Sequence, residues 1–119
     1  MTEAQKCGLS VLACIITEFH HGDCVGADAE AHEIFGDEEH TVIHPPANAS
    51  KRAWCEAKTI LPVYDYLDRN HAIVDETDLL IACPAKDKEQ LRSGTWATVR
   101  YARKLSRPVI IITPAGNIE

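Results

Sequence analysis

Between Leu79 and Lys104 an apolar run (Leu79, Leu80, Ile81, Ala82, Cys83) stops at Pro84. A charged loop follows, and Ser93-Gly94-Thr95 opens a helix-patterned segment. A buried strand feeding a loop and a Ser/Gly/Thr helix start builds an anion pocket. The first backbone N–H groups of a helix lack intrahelical partners and carry partial positive charge, so a phosphate is stabilised there. Ser93 reads equally as an N-cap with Gly94 packing the helix on its strand, and the two roles are compatible. A second loop of the same character runs Gly22-Asp23-Cys24-Val25-Gly26-Ala27-Asp28. Its small residues Gly22, Gly26 and Ala27 let backbone approach a phosphate or ribose, and Asp23 or Asp28 can accept from sugar hydroxyls. The alternative is a tight strand-to-helix turn with an Asp as cap.

Arg69-Asn70 supplies a guanidinium that can clamp a phosphate and an amide that can orient a ligand. The alternative is an arginine paired with Asp68, Asp75 or Asp78 on a solvated helix face. With Pro84 at the strand end, the candidate ligand-binding set is Gly22, Asp23, Gly26, Ala27, Asp28, Arg69, Asn70, Pro84, Ser93, Gly94 and Thr95. Trp96 and Trp54 can stack on a base, and Trp96 reads as well as a subunit contact. Lys86 to Arg92 is a solvated loop or a lid over the pocket. His20, His21, Cys24, His32, His40 and His44 invite a zinc reading. Adjacent strand residues face opposite sides, however, and no pair has the spacing of a structural zinc site, so no metal is expected. His21 reads instead as a polar group at the end of its strand, near the pocket.

The elements that position these residues follow from periodicity. Helices are expected over Thr2–Cys14, from Asp28 to about Phe35, over Tyr66–Val74 and over Gly94–Lys104. Strands are expected at Thr17–His21, Thr41–His44, Leu79–Cys83 and Pro108–Thr113, with Ala47–Pro62 an irregular excursion holding a helical turn near Ala53–Lys58. Alternating strands and helices, with continuous apolar runs in the last two strands, indicate an α/β domain whose mostly parallel sheet of about four strands is covered on both faces. Ligands then bind beyond the C-terminal ends of the strands.

At 119 residues the chain is one domain, with 45% hydrophobic and 25% charged residues. A net charge of -6 argues against general nucleic-acid binding, whose electrostatic footprint is basic. No apolar run approaches a membrane span, and no signal peptide is read at the start. Five scattered cysteines (Cys7, Cys14, Cys24, Cys55, Cys83) without a CxxC pair read as reduced thiols of a cytoplasmic protein.

Three segments in order carry a resemblance: HHGDCVGADAEAH (His20 to His32), LDRNHAIVDETDLLIACP (Leu67 to Pro84) and SGTWATVRYARK (Ser93 to Lys104). In these the chain resembles the SLOG superfamily, the Rossmann-like fold shared by DNA-processing protein A, the LOG phosphoribohydrolases and many short bacterial and phage proteins. The resemblance implies a Rossmann-like three-layer α/β/α domain that binds a nucleotide or nucleotide derivative, in a dimer, with no required cofactor. Two departures matter. The family opens with a strand and a Gly-Thr-Arg or Gly-Ser-Arg turn, whereas Met1-Thr2-Glu3-Ala4-Gln5 reads as the start of the first helix. Loss of that central strand leaves a gap, to be closed by direct pairing of its neighbours or filled by another chain. The LOG hydrolases also carry Gly-Gly-x-Gly-Thr-x-x-Glu, and aligned on Gly94-Thr95 the Glu position is Thr98. A neutral hydroxyl cannot serve as the general base or stabilise an oxocarbenium-like centre. The leading expectation is therefore a sensing or regulatory binding protein. The alternatives are a nucleoside 5′-monophosphate N-glycosidase or related transferase with Asp28 or Asp68 standing in for the Glu, and a ligand-free interaction domain.

Overall fold

A computed structural model describes residues 1–119. The helices fall close to the periodic segments because local chemistry starts and stops them. Helix α1 (Glu3–Ala13) begins at a capping box in which Thr2 Oγ1 accepts from Gln5 N and Gln5 Oε1 accepts from Thr2 N. Helix α2 (Ala27–Phe35) ends at Gly36, whose φ of 66° closes the last turn in the left-handed region. Helix α3 spans Tyr66–Asp75. Helix α4 (Gly94–Lys104) starts where Ser93 Oγ accepts from Trp96 N, and Arg103 and Lys104 lie in its last turn, where the helix dipole favours cations.

Five short strands are present: β1 (Phe19–His21), β2 (Thr41–Ile43), β3 (Thr59–Ile60), β4 (Leu80–Ala82) and β5 (Val109–Ile111). All the pairings are parallel, but they form two sheets, β1-β2-β3 and β4-β5. Two expectations are corrected here. The strands do not form one sheet of about four, and β1 does not pair directly with β4. Strand β3 comes from the excursion, whose helical turn lies at Ala49–Lys51 rather than Ala53–Lys58.

The apolar centre of the β4-β5 half is Ala82, Trp96, Val99 and Ile111, with Leu80 and Val109 packed against it. Trp96 is thus a core residue, 5% exposed, and neither a stacking platform nor a surface contact. Side chains from two helices span the division between the sheets. Gln5 of α1 donates through Nε2 to the carbonyls of Pro84 (2.8 Å) and Ile112 (2.9 Å), beyond the ends of β4 and β5. The amino terminus and Lys6 meanwhile pair with Glu30 of α2. Helix α3 stacks His71 on Tyr101 of α4 and reaches the β1 end through Arg69. No helix is long and apolar enough to cross a membrane, and the five cysteines are free.

Candidate functional site

A cavity of about 330 Å³ lies between the two sheets, bounded by Phe19–Gly22 on one side and Leu80–Cys83 on the other. Of the sequence-derived candidates, Gly22, Ala27, Asp28, Arg69, Asn70, Gly94 and Thr95 line it, as does Thr98. Asp23, Gly26, Pro84, Ser93 and Asp68 lie outside the lining.

Arg69 is the central polar group. Its side chain leaves α3, is 3% exposed, and donates through Nη1 to the Gly22 carbonyl at 2.7 Å. A weaker contact reaches Cys24 Sγ at 3.5 Å. It pairs with no carboxylate, so the reading of a solvated ion pair with Asp68, Asp75 or Asp78 does not hold. The guanidinium Nε is buried without a partner, and such a donor costs free energy until an acceptor meets it. A Cβ at Gly22 would overlap Arg69 Nη1, so glycine is required for the close approach.

The loop after β1 divides its acids between two tasks. Gly26 has φ 97° and makes the entry to α2 without a side-chain cap. Asp28 turns back, and its Oδ2 accepts from Cys24 N at 3.1 Å. Burial raises the Asp28 carboxyl above the usual carboxylate range, against the lowering effects of the Cys24 N–H bond and the Arg69 charge. Asp23, fully buried, has both oxygens engaged: Oδ1 accepts from Cys55 N at 2.9 Å and Oδ2 from Arg52 Nε at 3.1 Å. It anchors the excursion to the loop, and it has no free oxygen directed at a sugar.

On the opposite wall, Tyr66 closes over the start of α4. Its hydroxyl occupies the space that a Cβ on Gly94 would take, and its ring lies 5.4 Å from the Arg69 guanidinium. Tyr66 is 54% exposed, so a ligand can displace it without disturbing the core. Thr98 Oγ1 donates to the Gly94 carbonyl at 2.9 Å. The Lys86–Arg92 loop is exposed throughout, contributes nothing to the cavity wall, and is tied to α4 by Arg100. Trp54 is exposed under Arg52, away from the cavity.

Four of the six histidines gather in two pairs, one on each face of β1, while His40 bonds Asp37 and His71 stacks on Tyr101. His21 Nε2 lies 3.0 Å from His32 Nδ1 on α2. His20 Nδ1 lies 2.8 Å from His44 Nε2. Spacing along the chain did not reveal either pair, because each joins residues from different elements. Cys55 stands beside the first pair, its thiol pushed up to about 11 by burial and by its hydrogen bond to Asp23.

Comparison of the chain with family models, with curated proteins and with solved structures returns no match.

Proposed function

We propose that this domain binds a nucleotide or nucleotide-derived phosphorylated ligand in the cavity between the sheets, in a sensing or regulatory role. The observation that carries the proposal is Arg69: a buried guanidinium with an unpartnered Nε, on the wall of a cavity that also receives the Gly94–Thr95 helix start. A phosphate there would accept from Arg69 and from the free N–H groups of α4 once the Tyr66 hydroxyl withdraws. The resemblance to the SLOG superfamily, and with it a Rossmann-like reading of the two parallel sheets, agrees with this placement. In the same reading the domain acts as a homodimer, which sedimentation velocity tests.

The deciding experiment is a thermal-shift and calorimetric screen against nucleoside mono-, di- and triphosphates and ribose 5-phosphate. Saturable binding by the native chain, lost in Arg69→Gln while Lys86→Gln leaves it intact, supports the proposal. Failure of every phosphorylated compound to shift the native protein rejects it and favours the interaction-domain reading.

One observation favours the enzymatic alternative as the second reading. Asp28 lines the cavity with its carboxyl raised by burial, the condition for a general acid at a leaving base. Thr98, committed to the Gly94 carbonyl, supplies no such group. Asp68 is exposed and outside the cavity, which leaves Asp28 as the candidate for cleavage of a nucleoside 5′-monophosphate.

A further inference from the structure

His20 and His44 are neighbours through strand register. His20 pairs with Val42, and His44 follows two residues later on the same face, its N–H donating to the His21 carbonyl at 2.9 Å. Glu76, the residue that ends α3, brings its carboxylate to the pair: Oε2 lies 3.6 Å from His44 Nε2 and 4.0 Å from His20 Nδ1. We propose that His20 Nδ1, His44 Nε2 and Glu76 Oε2 form a binding site for one divalent first-row transition ion of the zinc class.

Three arguments carry it. The first is distance. A triangle with sides of 2.8, 3.6 and 4.0 Å has its centre about 2.1 Å from each corner, the bond length of zinc to imidazole nitrogen and carboxylate oxygen. The two imidazoles open by roughly half an ångström to reach a tetrahedral angle, and the half-exposed Glu76 side chain moves with them. The second is tautomer. Glu18 Oε1 lies 2.6 Å from His20 Nε2, and a carboxylate only accepts, so Nε2 carries the proton and Nδ1 presents its lone pair to the site. This is the carboxylate–histidine–metal arrangement that fixes ring orientation and raises ligand basicity. Without an ion, His44 Nε2–H donates to His20 Nδ1. On metal binding that proton leaves Nε2 for solvent or for His44 Nδ1, which is buried without a partner. The third is access. The imidazoles are buried while Glu76 is open to solvent, so three protein ligands leave a position for water.

The other cluster, His21, His32 and Cys55, is close enough in space but wrong in protonation. His21 Nδ1 accepts the Asp23 N–H at 3.0 Å, so a metal on Nε2 would leave that ring with no proton on either nitrogen. The Cys55 thiol faces the Asp23 carboxylate, which disfavours thiolate.

The test is titration of the full chain, after chelator treatment, with Co²⁺ followed by absorption and with Zn²⁺ followed by calorimetry. One equivalent is expected to bind, with d–d absorption and no thiolate-to-cobalt charge-transfer band. Glu18→Gln weakens binding about 10- to 100-fold, Glu76→Gln by at least as much, and Cys55→Ser leaves it unchanged. Both glutamates are at least half exposed, so these variants keep the fold, which far-UV circular dichroism verifies. Absence of saturable binding, binding that neither Glu substitution weakens, or binding lost in Cys55→Ser overturns the site.

Discussion

Arg69 Nη1 donates to the carbonyl of Gly22 at 2.7 Å, and this contact ties α3 to the end of β1 on the far wall of the cavity. The pairing works because residue 22 has no side chain: a Cβ there would overlap the guanidinium and come within 2.9 Å of Asp28 Oδ2. Gly22→Ala is therefore expected to lower stability by about 1–3 kcal/mol through overpacking. It should also abolish phosphate-ligand binding. Urea denaturation measures the first effect. An unchanged midpoint would mean that the guanidinium has room to move aside.

Asp28 separates binding from catalysis. Asparagine keeps an oxygen to accept from Cys24 N and removes a carboxylate whose ionised form burial penalises. Asp28→Asn should be at least as stable as the native chain at neutral pH, judged by thermal melting. If the protein cleaves nucleoside monophosphates, release of free base should stop in this variant. Cleavage that persists in Asp28→Asn would remove the residue from any catalytic role.

Stability should fall with acid between pH 6.5 and 4. His21 is lowered to about 4, chiefly by burial and then by His32, with His44 and Arg69 adding to the effect and Asp23 opposing it. The folded pKa lies below the unfolded one, so across this window the folded chain binds fewer protons. The stability contribution is complete above about 6.5 and is lost as pH drops toward 4. His21 alone accounts for about 2 kcal/mol between pH 7 and pH 5, and His44, also held near 4 by burial, adds to it. Urea melts of chelator-treated protein at several pH values check this. In His21→Gln, whose side-chain oxygen can still accept from Asp23 N, the dependence should become shallower, and an equal slope would assign the loss elsewhere.

Trp96 offers a test of the core. Its ring is buried among Ala82, Val99 and Ile111, and its Nε1–H has no partner. Trp96→Ala should cost about 3–5 kcal/mol. Trp96→Phe, which removes the unpaired donor while keeping an aromatic ring, should cost about 1 kcal/mol or less. Chemical denaturation of the two variants measures the difference, and similar losses in both would show that the indole is needed as a whole.

These results indicate what the sequence made legible. The helices were readable because their starts and stops are local: Thr2 with Gln5, Gly36, and Ser93 with Trp96 N each act within a few residues. Asp28 and the Gly94 helix start were readable as neighbours of one cavity because parallel strands deliver their following loops to one end. Arg69, inside α3, was legible only as a guanidinium with two open readings and through the resemblance. Strand β3 was not readable, since Thr59 and Ile60 are both exposed and show no buried face. The anchoring role of Asp23 was not readable because its partners, Arg52 and Cys55, lie some thirty residues away in an irregular segment. The histidine pairs were hidden for a different reason. Register between β1 and β2 sets His20 beside His44, and the packing of α2 on β1 sets His32 beside His21. Spacing along the chain carries no trace of either.

The divided sheet also has a consequence for how the molecule comes apart. No ladder of backbone bonds joins β1 to β4, so cohesion across the middle passes through Gln5, Arg69 and the packing of α1 and α3. Such side-chain bridges can break without unzipping either ladder, so the halves are expected to open as separate cooperative units with their own free energies. Native-state amide exchange should therefore resolve two protection levels, one shared by β1 and β2 and another by β4 and β5. A single level across all four strands would mean that the side-chain bridges couple the halves as firmly as a continuous ladder.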